Sequence, residues 1–158
     1  MTDPVSLQCA TNPRLSGIVD DGAGGFFFAD SACAQLLHLV GGGGWAPVVI
    51  APPFALETPM GLARNGSAVL VADCAAHVLW TFDPASGSLV AVLGQPGVAG
   101  ISSDGVAATS ATLQCPAAVA FDVVGGSTLV ADATAHVVIR ISTAGVAFRV
   151  AGAARRLG

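Results

Sequence analysis

The chain contains no lysine and no tyrosine, and Glu57 is its single glutamate. Charged residues make up 10% of the 158, and every cationic side chain is an arginine. A nucleic-acid surface needs a basic patch to displace counterions. With a net charge of −4 and only one adjacent basic pair, Arg155-Arg156, this chain offers none. The pair reads as a solvated tail. No C-x-x-C spacing occurs among the cysteines at 9, 33, 74 and 115, which removes zinc-knuckle and thioredoxin-type readings. The N-terminal stretch lacks a basic segment followed by an apolar one, so no secretory signal is visible and a cytoplasmic location is the default. Reduced, buried thiols are therefore expected; if a bridge forms, Cys33 and Cys74 are the first pair to test, because they fall in equivalent turns.

Long helical runs are missing as well. The longest uncharged stretch, 31–56, carries Gly41 to Gly44, Pro47 and Pro52-Pro53, which make a poor spanning helix. No window of a dozen residues keeps a 3.6-residue apolar period free of Gly and Pro. Yet 53% of the chain is apolar and the mean hydropathy is +0.73. Disorder needs the opposite composition, so this apolar surface has to be buried somewhere.

What the chain does have is a repeat. FFFADSACAQLL (26–37), VLVADCAAHVLW (69–80) and TLVADATAHVVI (128–139) share an apolar run, Ala-Asp, a few small residues and a second apolar run. Around each lie further short β-branched runs separated by Gly, Ser, Asn and Asp, the punctuation of hairpins. Three four-stranded antiparallel units follow, at about 13–51, 59–94 and 116–152, with a connecting loop at 95–115. In the first unit the strands are expected at Leu15 to Val19, Phe26 to Ala29, Gln35 to Val40 and Pro47 to Ala51, with Pro13 as the opening proline. His77 and His136 are expected to begin the third strands of the later units. Phe26-Phe27-Phe28 and Val69-Leu70-Val71 do not alternate apolar with polar. A sheet with one wet face alternates, so these sheets should be covered on both faces. Repeats of this length whose sheets stack face to face point to an all-β, partial β-propeller of about three blades.

The same residues resemble the NHL-repeat family of β-propellers. The resemblance rests on Pro59-Met60-Gly61-Leu62-Ala63, Val71-Ala72-Asp73 and His77, and again on Pro116, Val119-Ala120-Phe121-Asp122, Val130-Ala131-Asp132 and His136. It extends to the connection, where Asp104-Gly105, Ala108-Thr109, Ala111 and Leu113 fit the family's inter-repeat insertion, and it covers about residues 7–152. Ala34 stands where the first repeat should have its His, and Ala76, Val78, Ala135 and Val137 replace the residues that usually flank the repeat His. The resemblance implies a propeller of six-bladed type that serves as a protein-interaction scaffold, or, alternatively, part of a metal-dependent lactonase or lyase of that architecture.

Asp30, Asp73 and Asp132 recur, and a trio of carboxylates invites a catalytic reading. A structural one is favoured: an Asp after a strand accepts from its own turn's amides, and Asp73 and His77 bracket one turn, which would bring their side chains together. Pro59 and Pro116 open repeats and are structural in the same sense. A calcium site needs several oxygen ligands and a zinc site three or more His or Cys; His38, His77 and His136 sit at non-equivalent places. No G-x-S-x-G, H-E-x-x-H or P-loop occurs. No metal, cofactor or catalytic residue is assigned. Ligand contact is expected instead from loops held by rigid strands: the turn containing Gly41 and Trp45, and the connection containing Asp104 and Gly105. Three units are fewer than the four to eight of known propellers. The expected partners are a protein, further blades of the same propeller after a cut just past Gly152, or a second copy of this chain.

Overall fold

The structure, a computed structural model, describes residues 13–152. It contains three antiparallel sheets in chain order. The first is formed by β1 (Leu15–Asp20), β2 (Phe26–Asp30), β3 (Gln35–Leu39) and β4 (Trp45–Pro47). The second comprises β5 (Pro59–Asn65), β6 (Ala68–Asp73), β7 (Val78–Phe82) and β8 (Leu89–Gly94). In the third, β10 (Pro116–Phe121), β11 (Thr128–Asp132), β12 (Val137–Ile141) and β13 (Val146–Ala151) are joined by a fifth, short strand, β9 (Val106–Ala107). That strand comes from the connecting loop, pairs with β13 and runs into a single 3₁₀ turn at Ala108–Ser110.

The core lies between sheets rather than within one. Phe27, Ala29 and Leu36 of the first sheet pack on Leu62, Val71, Val78, Trp80 and Phe82 of the second. Leu70, Ala72, Leu79 and Leu93, on the opposite face of the second sheet, pack on Val130, Ala147 and Leu113. Every residue of β6 after Ala68 is buried, as a strand covered on both faces requires. The inner strands approach so closely that two positions admit only glycine. A Cβ on Gly17 would run into the Met60 carbonyl, and one on Gly61 would come within 2.7 Å of the Ala118 Cα.

The register corrects the sequence reading at several points. Leu15, Pro59 and Pro116 each sit opposite the Asp that ends the second strand. The opening proline of the first repeat is thus replaced by Leu15, and Pro13 lies two residues ahead of that position. The fourth strand of the first sheet is Trp45–Pro47 rather than 47–51. The turn at Gly41-Gly42, closed by Gly43 N–H on the Val40 carbonyl, is short enough for Trp45 to pair at once with Leu39. Beyond it, after a last bond from Val48 N–H to the Leu36 carbonyl, the chain leaves the sheet, and Ala51 N–H bonds the Gly87 carbonyl of the second. Val48 and Ile50 then pack against the first core. His77 and His136 do not begin strands. They occupy left-handed turn positions, φ 58° and 57°, and Ala34 takes the same conformation at φ 52°.

Candidate functional site

Each recurring Asp is sealed and turned onto backbone. Asp73 is fully buried, and its Oδ1 accepts from Thr58 N–H (2.7 Å) and Ala76 N–H (3.4 Å). Its Oδ2 accepts from Glu57 N–H (2.9 Å) and from the indole of Trp80 (3.4 Å). Asp132 accepts from Gln114 N–H (2.6 Å), Cys115 N–H (2.9 Å) and Ala135 N–H (3.0 Å). Asp30 accepts from Arg14, Ala32 and Cys33 N–H on one oxygen and from the Gln35 amide on the other. Pro13 stands where Glu57 and Gln114 stand in the other sheets and has no N–H to give, so Gln35 fills that place. The three carboxylates therefore pin the segment leading into each sheet onto that sheet's own second strand. They lie in three different sheets and converge on no shared point.

Asp73 and His77 do not pair. The left-handed turn aims the His77 ring at the next sheet, where Nδ1 donates to the Gln114 carbonyl at 2.6 Å, a contact that fixes the proton on Nδ1. The adjacent Cys74 is bonded to Cys115 with a Cα–Cα distance of 4.1 Å. The expected Cys33–Cys74 pair and the expected reduced thiols are both corrected. Register explains why: Ser31, not Cys33, occupies the position of Cys74, so Cys33 sits two residues farther along its turn. Cys115 leads into the next sheet beside the turn that holds Cys74, so that pair closes. Cys33 is disulfide-bonded too; Cys9 lies outside the described residues.

The binding loops expected from sequence behave differently from one another. Gly41 is a packing position, because a Cβ there would come within 2.9 Å of the Gly24 carbonyl in the neighbouring turn. Trp45 is in β4, not at a loop tip, and lines an apolar groove of about 320 Å³ with Pro13, Leu15, Phe28, Leu37 and Leu39 on the outer face of the first sheet. Asp104 accepts from Arg149 N–H at 2.7 Å, and Gly105 N–H donates to the Ala147 carbonyl, so this pair clamps the connection onto β13. The rest of the connection is also tied down. Gly100 N–H bonds the Leu113 carbonyl, Thr112 N–H bonds Ser102 Oγ, and the Gln95 amide bonds the Ser110 carbonyl. Between these ties Val98 and Ile101 stay exposed.

Two polar pairs escaped the sequence reading: Arg64 of the second sheet bonds Asp20 of the first, and His38 meets Asp21. His38 Nε2 lies 2.9 Å from Asp21 Oδ2, and the ring stacks on Phe27 at 4.2 Å. The His38 bond, with those from Ala23 and Gly25 N–H, lowers the Asp21 pKa to about 2. Asp83 is lowered by the Ser86 hydroxyl and the Ala85 N–H, and Asp122 by the Gly125 and Val124 N–H groups. All three are turn carboxylates, Asp83 and Asp122 held by their own loops and Asp21 by His38 of β3 as well as its loop. No group of three or more His, Cys, Asp or Glu able to hold a metal ion occurs among the described residues. A cleft of about 450 Å³ opens between the second and third sheets, lined by Asn65, Thr81, Thr109, Thr128 and Thr143 and by no charged side chain. Among the described residues, no helix is long and apolar enough to cross a membrane.

No family model matches the chain, and no curated protein does. Solved structures do match in fold. A structural-genomics protein of unknown function from Bacteroides thetaiotaomicron is 16% identical with a TM-score of 0.74, over 90% of this chain and 36% of that one. A chain of the nidogen/laminin complex is 14% identical at 0.67, over 89% and 49%. Virginiamycin B lyase from Staphylococcus aureus is 14% identical at 0.61, over 88% and 42%. The chain thus spans less than half the length of each of these structures. They are β-propeller-type proteins, enzymes and non-enzymes among them, and the fold of this chain is all-β and propeller-like.

Proposed function

We propose that this chain is a propeller segment of NHL type that works as a protein-interaction scaffold, with the connection 94–115 as its recognition surface. The observation that carries this reading is the state of that connection. It is bonded to itself, to the second sheet through Cys74–Cys115 and to the third through Asp104, yet it presents Val98 and Ile101 to solvent, 44% and 43% exposed. A loop already held in one conformation loses little entropy when a partner docks, and exposed aliphatic anchors supply the apolar contact. The recurring carboxylates support the same reading, because their oxygens are committed to backbone, indole and amide donors.

The test compares the wild-type chain with a Val98→Asp/Ile101→Asp variant. Partners cross-linked to the wild type would be identified, purified and titrated against both forms by calorimetry. At least a tenfold loss of affinity in the variant is expected, with thermal stability unchanged. Equal affinity for both forms refutes the assignment of the surface. Stoichiometric divalent metal in the purified protein, together with metal-dependent lactone turnover, would replace the scaffold reading with an enzymatic one.

A further inference from the structure

The same joint between sheets is built twice. In each, the face of one sheet carrying a Gly on its first strand (Gly17, Gly61) meets the opposite face of the next (Leu62 and Val71; Val119 and Val130). Among the described residues, each end of the stack keeps one half of that joint without a partner sheet. On the first sheet it is the face of Ile18, Phe28 and Leu39, with Leu37 buried among them. Ile18 holds the register position of Leu62, yet Ile18 is 59% exposed and Leu62 9%. On the third sheet it is the face of Ala118, Ala120, Leu129, Ala131 and Val138, with a shallow hollow of about 170 Å³. From these unused halves we infer that the third sheet of one copy docks on the first sheet of a second copy, and that two copies close a six-sheet ring through two equivalent joints.

Three observations favour a second copy as the occupant. The two open faces are the complementary halves of a joint the chain already makes, and two stacks of three give six, within the four to eight sheets that close a ring. His136 matches His77 in sequence and backbone, but it is exposed and has no hydrogen-bond partner among the described residues, whereas His77 holds the segment leading into the next sheet. Charge agrees as well. Arg140 takes the register position of Thr81, which lines the cleft opposite Phe121. Phe121 corresponds to Asp20 of the first sheet, so the closing joint sets Arg140, unpaired among the described residues, across from Asp20 of the second copy, whose carboxylate also holds that copy's own Arg64. The closing joint also differs at the point of closest approach. Ala118 stands where Gly17 and Gly61 stand, so its inner strands sit farther apart by the width of a methyl group.

This inference is independent of the loop proposal, because it concerns the ends of the stack. Light scattering across a concentration series should show a dimer of the wild-type chain. Ala118→Arg and Ile18→Arg, both exposed in the single chain, should each give a folded monomer, because each damages both joints of its own ring. Mixed one to one, they should form a heterodimer weaker than the wild-type dimer, because one joint in that pair pairs two undamaged faces. His136→Ala should weaken the dimer and leave the circular dichroism of the monomer unchanged. A folded wild-type monomer at high micromolar concentration overturns the inference. So does a dimer that survives either arginine variant, a mixture that stays monomeric, or assembly into open polymers.

Discussion

Asn in place of Asp73 keeps the size of the side chain and removes one acceptor. The two oxygens of Asp73 divide four donors evenly, Thr58 and Ala76 N–H on one, Glu57 N–H and the Trp80 indole on the other. Whichever way the new amide is turned, its NH₂ faces two donors in a fully buried site. A hydrogen bond to a charged acceptor contributes about 1.5–3 kcal/mol. One member of each pair is long, so the loss from Asp73→Asn comes to about 3–5 kcal/mol. That is a large part of the 5–15 kcal/mol that holds an ordinary domain together. Asp30→Asn should behave differently. Its backbone donors all share Oδ1, and Oδ2 meets only the Gln35 side chain, whose amide can turn to present its oxygen. That change should cost about 1 kcal/mol or less. Urea unfolding followed by the fluorescence of Trp80, in a Trp45→Phe background, measures both. Equal losses for the two variants, or a loss below about 1 kcal/mol for Asp73→Asn, would refute the assignment of these carboxylates as backbone staples and reopen a functional role for them.

Ala34 holds a left-handed turn that Gly adopts without strain, so Ala34→Gly should raise stability by about 1 kcal/mol, read as an increase in Tm; a decrease would contradict the strain argument. The Asp21 pKa is depressed, so its contribution to stability is complete above the ordinary carboxylate value of 3.8 and disappears as pH falls through about 2; side-chain carboxyl NMR should find that midpoint, and a midpoint near 3.8 would show that the His38 contact is absent in solution. Cys74 and Cys115 are 41 residues apart, and a loop of that size restricts the unfolded chain by about 4 kcal/mol, so the double serine variant should lose roughly that much, with chemical denaturation as the measure.

The strands were legible in the sequence because their signals are local. Apolar runs between Gly, Asn and Asp turns located the long strands of all three sheets, although the edge strand β4 was placed too late. The unbroken run Val69-Leu70-Val71 correctly announced a sheet buried on both faces. Which residues meet across sheets was not legible, because that depends on register. Cys33 and Cys74 share a turn by sequence but not a position, and His77 reaches a carbonyl 37 residues away rather than the Asp four residues before it. Composition also hides the limits of burial. Thr128-Leu129-Val130-Ala131-Asp132 differs from its counterpart in β6 only by Thr for Val69, yet its burial alternates along the strand where that of β6 does not. The difference is that, among the described residues, the third sheet has a neighbour on one face only. A sequence written for two covered faces, in a sheet that has one covered, is itself an argument for a missing neighbour. The same holds at the other end, where Phe28 and Leu39 stay partly exposed along a groove in positions that Val71 and Phe82 fill as buried core in the second sheet.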